Sequence, residues 1–194
     1  MEAEHVLEFW FGPKGATPSA DPRWWKKDPA FDATIRERFA ALHGRIANGE
    51  LDGWRSDPRT CLAYVIVLDQ FSRNMYRDAK EAFAFDAMAQ AATLAGIAGG
   101  LDRALGFFER SFFYMPLVHA EDRAVQDDAI IAFARLVGET PEAARGDIVT
   151  YLIYAVRHRD IVHRFGRFPH RNAILGRRSS PEELAFLKEP GSSF

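Results

Sequence analysis

The stretch Asp57-Pro58-Arg59-Thr60-Cys61-Leu62-Ala63-Tyr64-Val65-Ile66-Val67-Leu68 decides the fold. Its apolar run from Cys61 to Leu68 is rich in β-branched residues and would suit a buried strand or a buried helix, because periodicity does not separate the two in so short a run. The residues before it favour the helix. An Asp carboxylate accepts hydrogen bonds from the first free backbone N–H groups, and a Pro at the first helical position has no N–H to leave unbonded. No other segment reads as a partner strand. Carried on through Asp69-Gln70-Phe71-Ser72-Arg73-Asn74, the stretch is predicted to be one helix over 58–74, in an all-α chain.

Outward from that helix the same signals recur. Asp28-Pro29 opens a helix whose stripe is Phe31, Ile35, Phe39, Leu42 and Ile46, closing at Asn48-Gly49. Upstream, Val6-Leu7-Glu8-Phe9-Trp10-Phe11 reads as a turn or two of helix stopped at Gly12-Pro13, and 13–19 as a loop. Trp10, Trp24 and Trp25 read as packing residues, His5 and His43 as surface residues. Downstream, an alanine-rich helix is expected over 79–98, stopped by Gly99-Gly100, and a short one over 101–108. Pro116 is expected to open a long helix to Val137, and Thr140-Pro141-Glu142 the next, to about Arg164. Ser180-Pro181-Glu182-Glu183 is a capping box launching a last helix through Leu187. Seven or eight helices joined by short turns predict antiparallel helix pairs, as a bundle or short solenoid, in a single domain over 1–194.

Composition narrows the function. Lys+Arg 25 against Asp+Glu 27 leave a net charge of −2, so no global positive field exists to draw in nucleic acid or a membrane surface. The single cysteine, Cys61, permits no internal disulfide and sits in the apolar run. The start, Met1-Glu2-Ala3-Glu4-His5, is not a signal peptide, and no run has membrane-spanning length, so a cytoplasmic protein is expected.

Against this neutral background one segment is strongly basic. Arg157 to Arg178 holds seven arginines and three histidines against one acid, Asp160. Gly166 and Pro169 make its middle a loop. Acids that could answer it lie in Leu68–Asn74 and in His119-Ala120-Glu121-Asp122. On the expected helices, Asp69, Glu121, Asp122 and His158 fall on apolar stripes. Buried carboxylates need partners, so the three segments are expected to meet. His163 is placed on a helix flank, and Asp160 with Arg164 as a surface pair.

The bland reading is a satisfied polar network that docks the arginine loop. The sharper one is a binding protein whose cationic pocket takes a small anion or acidic peptide, because arginine exceeds the nearby acid. Its ligand-binding candidates are Asp69, Arg73, Asp122, Arg167, His170, Arg171 and Asn172. The alternative is a hydrolytic enzyme with His119 or His158 as base beside a carboxylate such as Glu121, Arg167 or Arg171 stabilising charge, and metal assistance as a variant. His119, Glu121 or Asp122, and His158 would be metal ligands if they converged, but their spacing is not that of a known metal motif.

Three motifs carry a resemblance. Leu68-Asp69-Gln70-Phe71-Ser72-Arg73-Asn74, Phe113-Tyr114-Met115-Pro116-Leu117 with His119 and Glu121-Asp122, and Arg164 to Asn172 resemble the bacterial domain-of-unknown-function 924 family. The likeness runs from Val6 to the closing Gly191-Ser192-Ser193-Phe194. It implies an all-helical, tetratricopeptide-like fold and no established activity, cofactor or catalytic residue. Where His-Ser-Glu would be expected, this chain has Ala120.

Overall fold

Four helix starts are fixed by a side chain that the sequence supplies there, Asp28, Asp57, Asp122 and Ser180. Asp28 accepts from the N–H groups of Ala30 and Phe31. Asp57 accepts from those of Arg59 and Thr60, and Ser180 and Glu183 exchange bonds in a capping box. Such a cap is worth about 1 kcal/mol. The computed structural model describes residues 2–13 and 21–192, so most of the expected 13–19 loop and the final Ser193-Phe194 lie outside the described residues. Within them are α1 (Glu2–Phe11), α2 (Pro29–Ala47), α3 (Pro58–Ile66), α4 (Ser72–Met75), α5 (Asp86–Ala98), α6 (Phe107–Val118), α7 (Arg123–Glu139), α8 (Glu142–Phe165) and α9 (Pro181–Phe186). No strand occurs among the described residues.

The ambiguous stretch is a helix, and it is central. α3 runs through a π-helical turn, Val67–Phe71, into α4 as one rod. Every residue from Cys61 to Ser72 is buried. That is why its apolar run showed no alternation: a helix hydrophobic all round belongs in the middle of a core. α1, α5 and α6 pack around α3, while α6 continues into α7 and α7 into α8. Trp10, 2% exposed, is ringed by Trp24, Phe31, Phe71 and Phe112. Burying one such ring contributes about 1.5–3 kcal/mol. Trp25, by contrast, is half exposed, with its ring against Phe112 and Tyr151. A smaller apolar cluster of Ile161, Val162, Phe168 and Phe186 pins the basic loop and α9 to the end of α8.

Three expected boundaries are corrected. The 79–98 helix is broken: Lys80–Phe83 is a 3-10 turn and α5 begins at Asp86. The expected 101–108 helix is a 3-10 turn, Leu101–Ala104, followed by the start of α6. Pro116 does not open a helix but lies inside the last turn of α6. Within a helix a proline forfeits one backbone bond, and α6 ends two residues further on at Val118. The following helix starts seven residues later at Arg123, where Asp122 caps it by accepting from Val125 N–H at 3.0 Å. As a result His119, Ala120 and Glu121 form a turn between helices and are not part of a helical stripe.

Candidate active site

The site is built around Asp69, fully buried in the π turn. A π turn holds one more residue than an α turn and is often found where a side chain has to be re-aimed. Two hydrogen-bond donors and one cation converge on the Asp69 carboxylate. Gln70 Nε2 lies 2.6 Å away, Arg73 Nη1 3.0 Å, and His119 Nδ1 2.8 and 3.0 Å from the two oxygens. Arg73 Nη1 also donates to the Asp69 carbonyl at 2.8 Å. Burial alone would raise this carboxyl, but the charge of Arg73 and the bonds from His119 and Gln70 overcome it and hold Asp69 below the usual carboxylate range. Asp69 is therefore ionised and can only accept.

That fixes the state of His119. To bond an ionised Asp69, Nδ1 must carry the proton, so in the neutral ring Nε2 carries the lone pair. Burial and the charge of Arg73 lower the imidazole pKa despite Asp69, so the ring is neutral at pH 7. Nε2 has no partner among the described residues, and His119 is 16% exposed on the wall of a cavity of about 500 Å³. The turn is held from behind: buried Gln126 donates to the carbonyls of Val118 and Ala120 at 2.6 and 2.8 Å.

Facing His119 are Lys80, Asp86, Gln90, Glu121 and Arg171. Arg171, 5% exposed, lies between the rings of Phe83 and Phe168, its Cζ 4.6 and 4.5 Å from their centroids. It donates through Nη1 to Asp86 at 3.2 Å, while Arg73 grips the same carboxylate with two bonds of 3.0 Å. Burial, with the nearby charge of Arg73, lowers Arg171 to about 10, which still leaves it cationic at neutral pH. Glu121 takes both terminal nitrogens of Arg177 and the Phe168 N–H. Burial pushes Glu121 up, but the Arg177 bonds win and its pKa falls. Lys80 is exposed at the rim with no ion-pair partner among the described residues.

The three segments expected to meet do meet, through Asp69–His119 and Glu121–Phe168. His158 stands behind His119, with ring centroids 6.1 Å apart and its Nδ1 donating to the Tyr154 carbonyl at 2.8 Å. Burial drives it down to about 3, and His170 to about 4. Neither lines the cavity.

Other expected members lie elsewhere. Asp122 is exposed and faces α7 as its cap, because the helix begins at it and not before it. Arg167 bonds Glu183 at 2.7 and 2.8 Å and so fastens α9. Asn172 is buried but bonds Ser179 and Arg177. The expected excess of arginine over acid does not persist in the fold: Arg159, Arg164, Arg167, Arg171 and Arg177 each meet a carboxylate. Arg164 pairs with Glu182, not Asp160. His43 is not a surface residue; it is 3% exposed and bonds Ser72 Oγ at 2.8 Å. Among the described residues no three His, Cys, Asp or Glu side chains gather as metal ligands. Asp86 was missed. Nothing marked it inside a helix expected to run from Ala79, whereas in the first turn of α5 its charge is favoured by the helix dipole.

Taken together, fold and geometry define an all-α protein with an aspartate-held histidine on a cavity wall. Residues 6–191 match the model of a family described as "Bacterial protein of unknown function (DUF924)". The chain belongs to that family. It is similar to the solved structure described as "Structure of Protein of Unknown Function ATU0120 from Agrobacterium tumefaciens", with 38% identity over 96% of this chain and 97% of that one, at a TM-score of 0.83. A comparison with curated proteins gives no match.

Proposed function

We propose that the cavity is the active site of a hydrolytic enzyme in which His119 is the general base and Asp69 its orienting partner. One observation carries this reading: Asp69 occupies Nδ1 of a neutral imidazole that lines the cavity and whose Nε2 has no partner among the described residues. Among the described residues no Ser, Thr or Cys lines the cavity, and Ala120 stands where a hydroxyl was expected, so the nucleophile in this reading is water. His119 Nε2 takes one proton from that water, and the oxygen attacks an electrophilic carbonyl or phosphoryl centre. Arg171 and Lys80 stabilise the negative charge that develops, and the imidazolium returns its proton to the leaving group. A positioned base of this kind contributes roughly 10²–10⁴ in rate. The test is a turnover screen of model carboxyl esters, amides and phosphate esters with wild type, His119→Gln and Asp69→Asn. Hydrolysis by wild type that falls about a hundredfold or more in both variants supports the assignment. Turnover unchanged in His119→Gln would falsify it.

A second reading keeps the cavity but not the chemistry, as a binding site for a small anion or acidic peptide. It is favoured by Lys80, exposed at the rim beside Arg171 without an ion-pair partner among the described residues. A ligand held equally well by wild type and His119→Gln, with no turnover of any substrate, would select it. The tetratricopeptide-like, helical-repeat description belongs to the same reading. α6, α7 and α8 stack in chain order, as repeat helices do.

A further inference from the structure

A second cavity, of about 430 Å³, lies where the 3-10 turn Leu101–Ala104 meets α6 and the last turns of α7. Its walls are Arg103, Arg110, Arg135 and Glu139, three guanidiniums against one carboxylate. Arg110 is not a loose surface side chain. It is 7% exposed, and its Nε and Nη2 lie 3.3 and 3.2 Å from Tyr114 Oη. That hydroxyl donates to buried Asp102 at 2.6 Å. This chain of buried groups fixes the guanidinium and leaves Nη1 at the mouth, where it donates to Glu139.

Glu139 is the weak point of the arrangement. Its side chain is 51% exposed, while Arg110 is 9% exposed on the same measure. Arg103 and Arg135 are both exposed and have no hydrogen-bond or ion-pair partner among the described residues. The bond from Arg110 and the charges of Arg110, Arg135 and Arg103 all lower the Glu139 carboxyl, so the three cations act on one point. The carbonyl end of α7 opposes an anion there, but with only about half a charge. Asp102, 3.9 Å from Arg110 Nη2, offsets one guanidinium, and the remaining two outweigh the helix end.

We propose that this cavity binds a phosphate-bearing small molecule, whose oxygens take the place of the Glu139 carboxylate on Arg110 and draw in Arg103 and Arg135. Guanidinium forks match phosphate oxygens two at a time, and a second phosphoryl group gives the outer arginines oxygens of their own. The site is separate from the His119 cavity and does not depend on its chemistry.

The experiment is calorimetric titration of the whole protein with inorganic pyrophosphate at constant ionic strength. Wild type is expected to bind one equivalent saturably. Arg103→Ala with Arg135→Ala, both exposed, should weaken binding at least tenfold. Glu139→Gln, which removes the internal competitor, should tighten it severalfold. His119→Gln should leave it unchanged. No saturable binding, binding indifferent to the two arginines, or binding lost in His119→Gln would each overturn the proposal.

Discussion

The basic segment ends up in two regions built from the same residue types. On one side Arg164 and Arg167 meet Glu182 and Glu183 and tie α9 to α8. On the other, Arg171 and Arg177 meet Asp86 and Glu121 around the His119 cavity. In the first region the polar groups satisfy one another. In the second, Asp69 satisfies one nitrogen of a cavity-lining imidazole, and the other has no partner among the described residues. Charge content does not distinguish a lock from a site. An unspent functional group does.

Removing Asp69 should break the comparison most severely. Asp69→Ala leaves Arg73 without its fully buried carboxylate partner, a loss of about 3–5 kcal/mol for a broken buried pair, read by urea unfolding. Phe168 belongs to both regions, fully buried against His158 and Arg171 and in one cluster with Phe186. Phe168→Ala should cost about 3–5 kcal/mol in the same assay, and it should loosen cavity and lock together.

Acid should then separate the regions. His119, His158 and His170 have folded pKa values below the ordinary 6.5, the latter two at about 3 and 4. The unfolded chain therefore binds more protons near these values, and stability falls as pH drops below 6.5. The loss is at most about 1.4 kcal/mol per pH unit for each histidine. Glu183 has a pKa lowered from 4.5 to about 2, mainly by Arg167, so its contribution is intact above 4.5 and is lost only as pH falls towards 2. Hydrogen exchange as a function of pH should show protection lost first near His119 and His158, and only later in α9. The reverse order would contradict the assignment. The smallest effect belongs to the lock's outer pair: Arg164→Ala breaks an exposed ion pair with Glu182 and should change stability by no more than about 1 kcal/mol.

How much of this the sequence disclosed follows from the range of each interaction. Asp28-Pro29, Asp57-Pro58 and the Ser180 box act within one turn, and each was readable as it stood. Asp69 could be singled out because a polar group on an apolar stripe requires a partner, and Arg171 because it falls in a loop where arginine outnumbers acid. The π turn could not be read, because its extra residue reflects packing on all sides of Val67–Phe71. Pro116 misled because proline favours a helix start, and only the Asp122 cap further on shows where α7 begins. Asp86 depended on the break after the Lys80–Phe83 turn, which its alanine-rich surroundings concealed.

The most direct test of the central claim is the tautomer and titration of His119, read from imidazole nitrogen shifts in the labelled protein. The expected result is a neutral ring at pH 7 with its proton on Nδ1, titrating below 6.5, and a changed tautomer balance in Asp69→Asn. A proton on Nε2 in the neutral ring, or a midpoint above 6.5, would contradict it.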